Sequence, residues 1–274
     1  MNNSFDKFDG ALLAARYAFM PNKLRYCGGD KNSEIFGYVA ENASDQGLKE
    51  LLEEFATMYP YLKLIAASNK IANPFDYKVV EAYWLGNDLL TNVDMKNFYR
   101  YLVDEQKLKR KFKSKLLEKV FGKITLGAKP HHSWYVFNIP KRTGHYPVEH
   151  TIETMDKCRI AAAKVKKTKI LLLPEGERHE VLRGWEKIKK IKTEIINKIL
   201  IEYQPLVIKD NKLTLGDWTE KEVWCEINNQ AFIGQPKVGD LVSLHWDWVC
   251  DFLTPDQTDN LNKWTKYNLA LVNL

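Results

Sequence analysis

Six histidines and four cysteines carry most of the chemistry this sequence offers, and they are unevenly spread. Four of the six histidines, His131, His132, His145 and His150, fall between His131 and Cys158, together with Glu149, Glu153 and Asp156. Imidazole nitrogen and cysteine thiolate suit iron, zinc or copper. The segment therefore reads in one of two ways. It is a hydrogen-bonded hinge between domains, or one or two of these groups complete a metal or cofactor site with Cys158. His131 and His132 are adjacent, so in a strand they point to opposite faces and at most one joins a given site. The cysteines, Cys27, Cys158, Cys225 and Cys250, include no C-x-x-C pair, so a zinc-finger reading fails on spacing. The patterns H-E-x-x-H, G-x-S-x-G, G-x-x-x-x-G-K and G-x-G-x-x-G are absent.

A further histidine, His245, lies in the run from Val238 to Cys250, which opens on Gly239-Asp240 turn chemistry. As a strand, this run puts Val242, Leu244, Trp246 and Trp248 on one apolar face. Leu241, Ser243, His245 and Asp247 share the other, more polar face, where a ligand can reach the imidazole. The alternative for His245 is a half-buried structural histidine.

The run V-G-D-x-V-x-x-H at Val238 to His245, followed by an apolar segment and by Thr254-Pro255-Asp256, resembles the HypC/HupF-type chaperones of [NiFe]-hydrogenase maturation. The resemblance covers roughly the last two-fifths of the chain. In that family a cysteine opens a C-x-x-x-P-G-x-V pattern. Here Cys158-Arg159-Ile160-Ala161-Ala162-Ala163-Lys164-Val165 keeps the cysteine and the closing Lys-Val, with Ala162 and Ala163 where the family has proline and glycine. The resemblance implies a short β-barrel and an iron centre with diatomic ligands, held by the cysteine with the histidine nearby. Carried onto this chain, the metal ligands are Cys158 and His245, open to further ligation by His131, His132, His145 or His150. Arg159, Asp247 and Glu149 are the candidate supporting groups, Arg159 by lowering the thiol pKa if it folds back. The implied role is that of an accessory protein of metal-cofactor assembly, not an enzyme, with a protein partner that gives or receives the centre. Two departures stand beside this: the cysteine is internal, and a helical segment precedes the match. Two rival classes remain open. One is a metal-dependent enzyme with a junction pocket lined by His131 or His132 and Glu149. The other is a metal-free interaction module.

The 274 residues, 45% hydrophobic and 28% charged, have the composition of a soluble globular chain. No apolar run reaches membrane-span length. The first residues lack a basic-then-apolar signal, so a cytoplasmic protein with reduced cysteines is expected. Net charge is +6. Its lysines fall on helix and strand surfaces and the tryptophans read as core, which speaks against nucleic acid. Oligomeric state is left open.

These groups need elements to position them, and the pattern predicts an α+β chain. Residues 1–122 read as a helical domain, 123–157 as a histidine-rich junction, and 158–274 as a small β-barrel domain with a closing C-terminal helix. A first helix capped by Asp9 is closed by Pro21. Gly28-Gly29 marks a turn beside Arg25 and Asp30. Further helices follow from Asp45, near Pro60 and after Asp76, the last carrying Glu81 among aromatics, either a solvated carboxylate or a buried acid. Residues 94–121 read as one long basic helix, whose face is plainly solvated or docks on an acidic partner or an anionic membrane. Residues 123–127 and 133–139 read as strand-like. Beyond Cys158, short strands are expected at 159–166 and 170–174, with 185–200 either helix or strand. A hairpin turning at Asp210-Asn211, a strand at 222–227, the histidine strand, and a helix at 256–267 with Leu261 and Trp264 inward complete the chain.

Overall fold

Asp9 starts the helical half as its sequence position suggests: its carboxylate accepts a hydrogen bond from Leu12 N at 2.8 Å, capping α1 (Gly10–Lys23). The computed structural model describes residues 9–140, 145–169, 196–228 and 230–274. The 170–174 strand and all of the 185–200 segment before 196 lie outside the described residues. After α1 come α2 (Asn32–Ala40), α3 (Gln46–Glu53), α4 (Met58–Ser68), α5 (Tyr77–Trp84) and α6 (Met95–Asp104). Then follow α7 (Leu108–Lys111), α8 (Ser114–Thr125), α9 (His132–Asn138) and α10 (Ile152–Cys158). Asp76 caps α5 as expected, Asp45 caps α3, and Pro60 lies in the first turn of α4.

The strands are β1 (Ala161–Lys169), β2 (Ile196–Tyr203), β3 (Leu206–Lys209), β4 (Lys212–Leu215), β5 (Thr219–Ile227), β6 (Leu241–His245) and β7 (Trp248–Phe252), and α11 (Pro255–Val272) ends the chain. The fold is α+β: helices first, then a mixed sheet and a final helix. Five strands pair in the order β1–β2–β5–β7–β6, and β6 pairs back onto β1. Between β5 and β7 there is a single parallel pair, Trp224 with Trp248, so the sheet is hydrogen-bonded unevenly. β3 and β4 form a separate hairpin through Asp210 and Asn211, both at positive φ.

Two cores follow from strand alternation. Ala161, Ala163, Val165, Val242, Leu244, Ile199, Ile201 and Val223 fill the inside of the rolled sheet. The outer face, with Trp248 and Cys250, packs on the helices in one core that runs from Ala11 to Leu271 without a break at residue 122 or 157. The small residues Ala11, Ala14, Ala15 and Ala18 let α1 lie close in this layer. α11 packs on α9, β1 and β4, with Leu261 and Trp264 inward as expected, so it bridges the two halves and does not simply cap the strands.

Several elements differ from expectation. The 94–121 helix is three helices: Lys107 adopts a left-handed φ of 51° between α6 and α7, and Phe112 is extended before α8. The basic run is therefore not one continuous face. Residues 123–125 finish α8, where Ile124 joins Val120 in the core. Residues 133–138 form α9, not a strand. This short helix is buried all round, which removes the periodicity by which helices are recognised. Of the two readings of Glu81, the buried acid is the one observed. It accepts hydrogen bonds from Lys78 Nζ (3.0 Å), Asn87 Nδ2 (2.9 Å) and Gln257 Nε2 (2.9 Å), tying α5 to α11. Finally, the histidine strand ends at His245. Trp246 and Asp247, at φ 55° and 60°, make a tight turn into β7. Trp246 is thereby carried off the alternation with Val242 and Leu244.

Candidate metal centre

Cys158 is the last residue of α10, and His245 the last of β6. Antiparallel pairing of β1 with β6 sets Ala161 opposite Leu244. Trp246 N, in the turn after β6, donates to Lys157 O at 2.6 Å. These two links place residues 87 positions apart in sequence, Cys158 and His245, side by side. His132 arrives from the start of α9. Donor atoms of His132, Cys158 and His245 all lie within 4.8 Å of one another, and all three residues are buried.

The tautomers follow from the partners. A carbonyl can only accept, so His245 donates from Nδ1 to Tyr17 O at 2.7 Å. The neutral ring then carries its lone pair on Nε2. Tyr17 O is available for a reason visible in the sequence. In an α-helix it would accept from the residue four positions on, which is Pro21, and proline has no N–H. Pro21 thus does not close α1, which continues to Lys23. It diverts one carbonyl to His245. The contact is reinforced by Tyr17 Oη, which donates to Ser243 Oγ at 2.8 Å, while Ser243 donates to Asp251 O. We expect Pro21→Ala to return an N–H to α1, take back the Tyr17 carbonyl and release the His245 ring. Metal affinity should then fall by about tenfold, the usual cost of losing a partner that orients a ligand. Thermal stability should change little, because the helix gain of alanine is offset by the buried His245 N–H losing its acceptor. Parallel thermal melts and metal titrations check both halves.

His132 is held at both nitrogens: Nε2 donates to Cys158 O at 2.9 Å, and Nδ1 meets Tyr83 Oη at 3.0 Å. It therefore fixes the backbone of Cys158 as well as facing its thiol. To ligate through Nδ1, the ring would have to give up its hydrogen bond with the Tyr83 hydroxyl and turn from that oxygen. Aromatic rings wall the group. Trp84 lies 4.6 Å from His132 and 5.5 Å from His245, centroid to centroid, and stacks on Tyr17 at 5.3 Å. A cavity of about 30 Å³ adjoins the three, also lined by Cys27, Pro21 and Tyr83. That is room for one or two water-sized molecules, not for an organic substrate.

The other candidates lie elsewhere. His131 points away from its neighbour: Nδ1 accepts from Ser133 N and meets Ser133 Oγ, and the ring stacks on Trp264. Burial pushes its pKa from 6.5 down to about 3, so it stays neutral. The unfolded chain binds a proton here that the fold refuses between those two values, so stability falls as pH drops below about 6.5. His131→Gln should flatten that acid limb in denaturant titrations at pH 7 and pH 5.

His145 is exposed and pairs with Asp30 at 3.0 Å, and His150 Nε2 donates to Val136 O at 2.9 Å, so neither joins the group. Arg159 does not fold back toward the thiol. It is held by Asp156 Oδ1 at 2.9 Å and by Gln204 O. Asp247 pairs with Lys221 at 2.6 Å, and Glu149 is exposed. Nor does His245 lie on an open polar face: α1 covers it, leaving it 2% exposed. Cys27, Tyr83, Trp84 and Pro21 were not singled out for this site by their spacing. Pro21 alone carries a signal, the carbonyl it leaves without a helical donor.

The fold and the site thus define an α+β protein with a buried Cys-His-His group between its helices and its sheet. The chain belongs to a family of unknown function (DUF6390), whose family model matches residues 6–171 and 185–274. Neither curated proteins nor solved structures gave a match. Among the described residues, no helix is long and apolar enough to cross a membrane.

Proposed function

We propose that this chain is an accessory protein of metal-cofactor assembly, akin to the HypC/HupF-type hydrogenase-maturation chaperones, that holds an iron centre through Cys158 and His245. The observation that carries the reading is the meeting of these two groups, named from separate motifs, in one buried group with His132. The donor set fits the metal. One soft thiolate and two neutral imidazoles suit iron, and a thiolate offsets cation charge in a buried site. The adjoining cavity of about 30 Å³ leaves room for a small ligand beside the metal. The strand ring, taken as a small barrel, is the architecture that goes with this family. When bound, the iron would supply a centre able to hold small π-accepting ligands. The chain's own part is to bind through Cys158 and His245, to orient the His245 ring through Tyr17, and to exclude water with Trp84 and Tyr83. A protein partner that gives or receives the centre completes the role. Burial of all three ligands means that transfer requires α1, which covers His245, to yield. The test is anaerobic iron loading of the wild-type chain beside Cys158→Ala: loss of loading in the variant is expected, and equal loading of the two removes the proposal.

A further inference from the structure

We infer that Cys27 is a fourth, mobile ligand of this centre, whose side chain turns onto the metal and off again on a fixed loop backbone; the inference rests on the metal-site reading above. Cys27 lines the same cavity as Cys158, His132 and His245. Of those four it alone is only half-buried, so it stands between the cavity and solvent. Its sulfur lies outside the trio whose donor atoms are within 4.8 Å of one another. A change of χ1 moves a cysteine sulfur by roughly 3 Å without moving the backbone.

The backbone is placed to allow this. Pro21 O accepts from Tyr26 N at 2.8 Å and from Cys27 N at 3.3 Å, so the residue that frees the Tyr17 carbonyl for His245 also anchors Cys27. Asn22 Nδ2 donates to Cys27 O at 2.9 Å and to Gly29 O at 2.8 Å. Gly28, at φ +78°, brings the loop against Phe55, where an added Cβ would sit 2.6 Å from the ring. Outside, His145 holds Asp30 at 3.0 Å and Tyr146 N donates to Arg25 O at 3.2 Å, clasping the loop shut. Tyr83, whose hydroxyl meets His132, senses both thiols: each, as thiolate, adds to the upward push that burial gives its phenol.

Charge favours the assignment. A divalent ion with one thiolate leaves a net positive charge in a dry site, whereas two thiolates and two imidazoles make it neutral. Two cysteines and two histidines also make a tetrahedral set for a borderline-soft divalent metal. A ligand at the mouth that comes on and off would let a carrier close over its metal and still open a coordination position.

Anaerobic Co²⁺ titration tests this, because thiolate-to-cobalt charge-transfer absorption scales with the number of bound thiolates. Cys27→Ser should bind Co²⁺ with the band cut to about half and affinity lowered by about tenfold or more. Co²⁺ should also slow alkylation of Cys27 by iodoacetamide by about tenfold in the wild-type chain. Undiminished absorption in Cys27→Ser, or alkylation at the same rate with and without Co²⁺, overturns the fourth ligand while leaving the three-residue site. Absence of any band in the wild-type chain removes the metal-site reading and this inference with it.

Discussion

Cys158→Ala should bind iron at least about a hundredfold more weakly than the wild-type chain. Four-ligand structural zinc sites bind with about 10–16 kcal/mol, so one ligand carries about 3 kcal/mol, or about two powers of ten. Cys158 should exceed that share, because it is the anion of the buried trio and His132 and His245 are neutral when they ligate. Water entering the space left by the sulfur would ligate without neutralising charge. The pH dependence has a defined sign. A thiol must lose its proton to ligate, so acid competes with metal, and each thiolate ligand contributes about a tenfold rise in affinity per pH unit where free thiols are protonated. Cys158→Ala should lose one such factor from the slope. Anaerobic titrations at pH 6, 7 and 8 read both the drop and the change of slope. His132→Ala is the informative companion. Its ring also holds Cys158 O, so its loss should weaken binding through the position of Cys158 as well as through a missing ligand.

What could be read from the residues was local. Asp9, Asp45 and Asp76 cap helices because a short carboxylate at that position reaches a free backbone N–H, and the turn at Asp210-Asn211 is written in two residues that tolerate positive φ. The alternation of Val242 and Leu244 against Ser243 and His245 also holds. What it could not show was that the second face is covered too. A polar residue facing solvent and one facing the partner of a buried hydrogen bond look alike in a pattern, and Ser243 and His245 face α1. The turn at Trp246-Asp247 was invisible for a related reason. Positive φ at a tryptophan is bought by tertiary packing, here Tyr26 against the indole at 4.8 Å and the bond to Lys157 O, and no turn-forming residue announces it.

The site was legible in the same partial way. Cys158 and His245 came from two short motifs, whereas His132 was one of four histidines with equal claims. What separates them is α9. A helix that begins at His132, with His131 as its cap, turns the first ring toward Cys158 and the second toward Trp264. Because α9 is buried on every side, nothing in its composition distinguishes it from a core strand. The Pro21–Tyr17–His245 relation is a different case. Each member is in plain view, and the missing link is a distance in space. Proline inside a helix guarantees an unclaimed carbonyl four residues earlier, and a buried carbonyl needs a donor.

The ligand geometry also depends on a residue with no place in the chemistry, and Asp156→Ala should destabilise the fold by about 3–5 kcal/mol, the cost of stripping one partner from a buried ion pair. Asp156 Oδ1 accepts from Arg159 Nε at 3.0 Å and from Leu206 N at 2.9 Å, and Oδ2 accepts from Tyr203 Oη at 3.0 Å. Arg159 is 4% exposed, so alanine at 156 leaves a guanidinium buried with Gln204 O as its remaining named acceptor. These bonds join the last turn of α10 to the end of β2 and the start of β3, two residues from the sulfur that must meet His245. The loss should therefore appear twice: as a lower midpoint in denaturant unfolding, and as weaker metal binding under conditions where the variant is still folded. Asp156→Asn separates the two causes. It keeps one acceptor oxygen for Arg159 or Leu206 but removes the charge, so it should recover part of the stability. If Asp156→Ala unfolds at the wild-type midpoint, the Asp156–Arg159 pair does not hold α10 in place.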